Sequence, residues 1–226
     1  DFEIDPVLRL YYVEVPPPEL GAIRGDLQRL EAALESEWGL AGLTAGMHFL
    51  AAAQDALRDG GGKVTVAVRE DRELAAVRPG LWEKAYGAAV DVGSTTIALH
   101  LCELATGEVL ASAGAMNPQI RFGEDLMSRV SYAMLNEDGA ARMTDAVRQE
   151  LDRLLQQTAE QAGIRKQEIL ELTLVGNPVM HHLGLGLDPV PLGTAPFALG
   201  SDQPVDLRAR EIGLELLPAT RAWCVP

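Results

Sequence analysis

Apolar residues first alternate and then recur at helical spacing, in two successive blocks of the chain. Residues 7–15 are rich in β-formers and predict a strand. Pro16, Pro17 and Pro18 stop it. Ile23, Leu27, Leu30, Leu34 and Trp38 follow every three or four residues and predict a helix. A second helix is predicted after Thr44 as N-cap, with Met47, Leu50, Ala51 and Leu57 on one face. Asp59-Gly60-Gly61-Gly62 ends it. Val64, Val66 and Val68 alternate in a strand over 63–69, and a turn around Asp71 leads to a short strand over 73–77. Arg78, Pro79 and Gly80 read as a linker. This first block, residues 1–80, is long enough for a small αβ core.

The second block, residues 86–226, opens with three short strands that read as adjacent and antiparallel, over 88–92, 96–102 and 109–113. Asn117-Pro118-Gln119 reads as a turn. A helix follows with Leu126, Met127, Val130 and Met134 on one side, and a longer one carries Met143, Val147, Leu151 and Leu154. Residues 169–175 form a buried strand, expected in the same sheet beside the first. Gly176-Asn177-Pro178 opens another helix, with Asn as N-cap and Pro at the first helical position. The tail after Asp188 is rich in Pro and Gly.

The strongest chemical signal is the hairpin tip. An apolar run enters Asp91, and Gly93, Ser94, Thr95 and Thr96 follow before the strand resumes at Ile97. Gly93 permits a tight turn and close backbone approach. Backbone N–H groups there, with the three hydroxyls, can cradle phosphate oxygens. Asp91, ending a buried strand, is placed to hold a hydrated Mg²⁺. The plainer alternative is a hairpin turn capped by an Asp. Asn177, at the end of a buried strand, stands where ligand contacts occur in α/β sheets, and an ordinary N-cap explains it equally well.

Other candidates are weaker. Gly60-Gly61-Gly62-Lys63 fails the P-loop pattern, because Leu57 and Val64 occupy required Gly and Ser/Thr places and the loop leaves a helix. Gly184 and Gly186 mark a helix exit. His181 and His182 are adjacent, about 100° apart on a helix, and cannot chelate together; one is expected to pack and the other to lie near solvent. Asp125 and Arg129, like Arg121 and Asp125, stand i, i+4 and suit surface ion pairs.

Of 226 residues, 33 are acidic and 19 basic, giving a net charge of −14. That field disfavours nucleic acid and anionic membranes as partners. It does not exclude a nucleotide. Two cysteines, Cys102 and Cys224, are too few for a zinc or iron–sulfur site. Thiols without a disulfide framework suit the cytoplasm. No apolar stretch or signal peptide points to a membrane. The chain begins at Asp1, which reads as a piece of a longer protein.

The hairpin loop resembles the first phosphate loop of the acetate/sugar kinase, heat-shock and actin superfamily (ASKHA). Further strings make the likeness more specific: Tyr86 through Thr96, Asn117-Pro118-Gln119-Ile120-Arg121-Phe122-Gly123-Glu124-Asp125, Ser128-Arg129, Leu174 through Leu183, Asp188-Pro189 and Leu192 through Phe197. Together they resemble the ATP-dependent reductive activators of corrinoid proteins, a ferredoxin-fused ASKHA branch. The first block, with its Pro-Pro-Pro-Glu-Leu, resembles that family's middle domain. The resemblance implies an α/β chain: a middle αβ domain at 1–80, then the N-terminal half of an RNase-H-like ASKHA domain with a mixed sheet at 86–226. It implies ATP and Mg in the intact parent, a [2Fe–2S] cluster in a domain absent from these residues, a corrinoid protein partner and a homodimer. It places the first phosphate motif on Asp91, Gly93, Ser94, Thr95 and Thr96, with Gly176 and Asn177 facing the same cleft.

The activity implied is return of Co(II) corrinoid to Co(I), driven by ATP. The four cluster cysteines are absent here, and the second phosphate loop would lie beyond residue 226, so half a nucleotide site is expected. Two rivals remain: a docking or dimerisation module without turnover, and a small-molecule kinase of the same superfamily.

Overall fold

A computed structural model describes residues 4–21 and 24–226. Ile23, expected to open the first helical stripe, lies outside the described residues. The chain divides into two compact units. The first runs up to Ala85 and includes residues 103–107; the second holds the remainder.

The first unit contains β1 (Leu8–Glu14), α1 (Asp26–Trp38), β2 (Thr44–Ala45), α2 (Met47–Asp59), β3 (Lys63–Arg69) and β4 (Glu73–Pro79). Its sheet has the order β1-β3-β4-β2, antiparallel except for the β2–β4 pair. Central β3 is buried on both faces, so Thr65, Ala67 and Arg69 are enclosed along with the three valines. α1 buries Leu30, Ala33 and Leu34.

Three details differ from the sequence expectation. The inner stripe of α2 is Phe49, Ala53, Ala56 and Leu57, spaced i, i+4, i+7, i+8, and Met47 is 80% exposed. The bulky Phe49 sets that rotation. Thr44 is not the N-cap: its N–H donates to the Arg72 carbonyl at 2.8 Å, which places it in β2, and Gly46 caps the helix. The supposed linker residues Arg78 and Pro79 end β4 opposite Thr65 and Val64. Thr65 stitches that end down, its Oγ1 donating to the Gly80 carbonyl at 2.7 Å and accepting from the Trp82 N–H at 2.9 Å.

The second unit contains β5 (Tyr86–Val92), β6 (Thr96–Glu103), β7 (Val109–Met116), α3 (Leu126–Leu135), α4 (Gly139–Ala162), β8 (Ile169–Val175), α5 (Pro178–Leu185), β9 (Val205–Arg208) and β10 (Arg221–Val225). The sheet order is β7-β6-β5-β8-β10-β9. Strands β5, β8 and β10 are parallel, while β6–β7 and β9–β10 are antiparallel. Only residues 93–95 join β5 to its neighbour β6, too few for a parallel crossover, so that pair is a hairpin. Three hairpin strands with β8 beside the first give the expected RNase-H-like mixed sheet. The tail assigned to Pro and Gly also contributes β9 and β10. Only Ala222 and Cys224 of β10 point to the core, a pattern too short and too small-sided to read as a strand.

One face of this sheet packs on α4, whose Met143, Val147, Leu151 and Leu154 are buried as expected. α3 is different. Its buried residues are Arg129 and Val130, whereas Met127 and Met134 are more than half exposed. A charged side chain therefore occupies the inward position that the apolar pattern assigned to methionine. No helix among the described residues is long and apolar enough to cross a membrane.

The α4 core contact sets stability in the second unit. Leu154 is fully buried, so Leu154→Ala is expected to lower stability by about 2–5 kcal/mol. Urea unfolding followed by circular dichroism checks this; an unchanged midpoint would contradict the packing described.

Candidate phosphate-binding site

The hairpin loop is held from behind at every carbonyl. Asn117 Nδ2 donates to the Gly93 carbonyl at 2.8 Å. Arg129 Nη2 donates to the Ser94 carbonyl at 2.5 Å. The Asn117 backbone N–H donates to the Thr95 carbonyl at 2.8 Å. A peptide plane with its oxygen fixed inward tends to turn its N–H the other way, since the two groups are anti across the trans bond. The N–H groups of Gly93, Ser94 and Thr95, and the hydroxyls of Ser94, Thr95 and Thr96, have no partner among the described residues. Thr95 and Thr96 are exposed. Gly93 is required for a steric reason: a Cβ there would stand 2.6 Å from the Thr96 carbonyl oxygen.

Each clamp is built locally. Asn117 is 1% exposed and caps the 3₁₀ turn Pro118–Phe122, its Oδ1 accepting from the Gln119 N–H at 2.9 Å. Gln119 is anchored in turn, Nε2 donating to the Met143 carbonyl at 2.9 Å. Asp125 and Ser128 form a capping box at the start of α3, with bonds of 2.7 and 3.1 Å. That box fixes the first turn and points Arg129 inward. Gly123 passes so close that a Cβ would meet the Arg129 backbone nitrogen at 2.7 Å.

Arg129 is fully buried, and its fork reaches three segments: the Gly123 carbonyl at 3.0 Å, the Met180 sulfur at 3.4 Å and Ser94. The expected surface ion pair with Asp125 is absent. Asp125 is engaged as a cap, and the Ser128 N–H holds its carboxyl below the usual range. Arg121 instead lies over the Phe122 ring, 4.7 Å from its centroid. Burial lowers the proton affinity of the Arg129 guanidinium, partly opposed by the negative charge of Asp125.

Asp91, the last residue but one of β5, has an exposed carboxylate that makes no hydrogen bond or ion pair among the described residues. It does not cap the turn, the plainer of the two roles considered for it. Gly176 follows β8 and packs against β5, where a Cβ would stand 3.1 Å from the Val92 carbonyl oxygen; its N–H donates to the Val225 carbonyl at 3.2 Å. Asn177 Oδ1 caps α5, accepting from the Val179 and Met180 N–H groups at 3.1 Å each. Its amide nitrogen has no partner among the described residues.

The histidine pair departs from expectation, since both rings are buried. His182 Nδ1 donates to the Pro178 carbonyl at 2.7 Å, and Nε2 accepts from the Gly200 N–H at 2.8 Å. Two bonds of opposite sense fix one neutral tautomer. His181 Nε2 lies 3.3 Å from the Cys224 carbonyl, and burial lowers its basicity. These rings brace the segments after α5 and β10 and add no ligand to the loop.

Asn117, Arg129 and Met180 were not singled out as site residues. Asn117 and Arg129 had local readings, as a turn and as a surface charge. Their convergence depends on tertiary contacts across 24 to 51 positions.

Comparisons with known proteins agree with this architecture. A family model described as the RACo middle region matches residues 86–226, and one described as the RACo linker region matches residues 1–84. The block read as a middle domain is thus the one that family's description terms the linker. The corrinoid activation enzyme RamQ of Eubacterium limosum is 30% identical over 141 residues, 62% of this chain and 24% of that protein. A solved reductive activator for a corrinoid, iron–sulfur protein is 30% identical, with a TM-score of 0.84, over 100% of this chain and 36% of its own. The chain therefore spans well under half the length of either relative.

The clamp has a direct consequence. Asn117→Ala removes donors to Gly93 and the cap on Gln119, and is expected to cost about 1–3 kcal/mol. Thermal melting and hydrogen exchange at 93–95 check this. Unchanged exchange there would show that the loop does not depend on Asn117.

Proposed function

The chain belongs to the RACo family, whose middle region its residues 86–226 match, and we propose that it takes part in ATP-dependent reductive activation of a corrinoid protein. Within that process, residues 91–96 hold the phosphates of the nucleotide. One observation carries this reading: all three loop carbonyls are bonded inward, which turns the Ser94 and Thr95 N–H groups of the same peptide planes the other way, and these amides, the hydroxyls of Ser94, Thr95 and Thr96 and the Asp91 carboxylate have no partner among the described residues. Such a concavity of amides favours anions despite the net charge of −14.

The residues present fit a nucleotide with Mg²⁺. The loop donors bind phosphate oxygens, and Asp91 is free to accept from the waters of Mg²⁺, which keeps several of them. The metal would supply neutralisation of phosphate charge. Gly176 and Asn177 border the same end of the sheet, and Asn177 can offer its amide nitrogen. Catalysis of this type relies on positioning and charge rather than covalent chemistry. No residue here is assigned as general base.

The residues do not fit an iron–sulfur cluster. Among the described residues no group of three His, Cys, Asp or Glu could hold a metal ion. Cys224 is buried, and that burial pushes its thiol up to about 11. The electron-carrying cluster of the resemblance therefore belongs to another part of the machinery. The first unit is assigned to docking or to pairing with a second copy. Family membership favours the activator over a small-molecule kinase, and the RamQ likeness supports it.

Two measurements test the reading. In the complete native protein, Asp91→Ala is expected to remove ATP-stimulated Co(II) to Co(I) reduction while leaving the melting temperature unchanged. Thr95→Ala has a smaller effect, because neighbouring donors substitute. Full activity with a lowered melting point would assign Asp91 to structure. By calorimetry, residues 1–226 alone are expected to bind ATP more weakly than micromolar. The loop is open to solvent, and contacts on one side of the phosphates rarely offset the cost of association. Micromolar affinity would refute the view that this surface is one wall of a larger site.

A further inference from the structure

Arg129 is the largest fully buried side chain among the described residues. Its hydrogen bonds go to two neutral carbonyls and a thioether, and no carboxylate pairs with it. Buried charges in proteins are ordinarily paired, because removing an ion from water is expensive. Asp125, the acidic residue nearest in sequence, caps α3 and makes no ion pair with Arg129, although its charge partly offsets the effect of burial on the guanidinium. The positive charge lies instead directly behind the Ser94 peptide, whose other side faces outward.

We propose that Arg129 is a positioning residue for the nucleotide phosphates, orienting the loop through the Ser94 carbonyl and supplying from behind it the charge that the anion balances. This rests on the phosphate-loop reading above. The guanidinium does not touch the ligand. It polarises the Ser94–Thr95 peptide, whose carbonyl it binds and whose Thr95 N–H is left without a partner. Hydrogen bonds in series strengthen one another in a low-dielectric setting. The same fork ties the loop to Gly123 and to Met180 on α5, so the pocket wall, α3 and α5 hold one arrangement together.

A purely structural role predicts something different. Arg129 would then only satisfy buried carbonyls, and its loss would lower stability without changing anion affinity in the folded protein. The two are separated by melting the 226-residue chain in millimolar tripolyphosphate, against sodium chloride of equal ionic strength. Stabilisation by a bound anion follows its concentration relative to its dissociation constant. The wild-type melting temperature is expected to rise with tripolyphosphate beyond the chloride control. In Arg129→Gln the rise should need at least about tenfold more ligand, with Arg129→Lys between the two. A variant with a lower starting temperature but the wild-type tripolyphosphate dependence overturns the proposal. A wild-type protein with no specific rise overturns this inference, while the Asp91→Ala measurement in the complete native protein still decides the phosphate-loop reading.

If neither variant folds, the unaltered protein still decides. The Arg129 Nε–H resonance is expected to shift on tripolyphosphate addition together with the amides of residues 93–95. Loop amides that shift while Arg129 stays unmoved would show that the charge does not sense the ligand.

Discussion

The second unit depends on one buried guanidinium. Arg129 bonds Gly123, Ser94 and Met180, which belong to the turn after β7, the loop between β5 and β6, and α5. No apolar side chain could replace it without leaving the Ser94 and Gly123 carbonyls unsatisfied inside the protein, at about 1–3 kcal/mol each. Its own desolvation opposes this gain. The balance is favourable because the position is prepared in advance. The Asp125–Ser128 box fixes the first turn of α3, which carries the side chain, and Gly123 leaves room for close approach.

That arrangement gives the hairpin a direction. A turn of three polar residues at the tip of two strands could equally present its carbonyls to solvent, and would then repel anions. Here Asn117 and Arg129 take up every carbonyl from within, and the amides are left outward. The sign of the local field is thus set by donors beneath the loop rather than by the protein's acidic surface. α5 contributes less than its position suggests, because Asn177 already occupies two of its first N–H groups. The loop amides, more than the helix dipole, are the donors that this end of the sheet leaves without a partner among the described residues.

Much of this was legible in the sequence where local chemistry decides. The Asp91–Thr96 string, the alternation of Ile97, Leu99 and Leu101, and Asn177-Pro178 each declare their geometry within a few residues. So did the α4 stripe, since 24 residues give several turns of consistent periodicity. The failures share one physical cause. Arg129 was read as a surface charge because hydropathy assigns charges outward, yet its burial follows from three acceptors distant in sequence. Met127 and Met134 were placed inward by the same rule. β10 carries too few inward residues to show a period, and it is buried because β8 offers it an edge. In α2, two apolar stripes overlapped, and the size of Phe49 chose between them.

The chemistry of the two cysteines narrows what this chain's own side chains can do. Burial disfavours the thiolate form of both, and Cys224 is pushed up to about 11. A thiol that stays protonated is a poor ligand and a poor nucleophile. Neither side chain suits electron transfer through a metal centre. The hairpin loop instead offers the N–H groups of Ser94 and Thr95 and three hydroxyls that have no partner among the described residues. Amide and hydroxyl donors of that kind are complementary to an oxyanion. Arg129 joins that loop to the start of α3 and to α5 by one fork, so the loop cannot shift without straining the bonds to Gly123 and Met180.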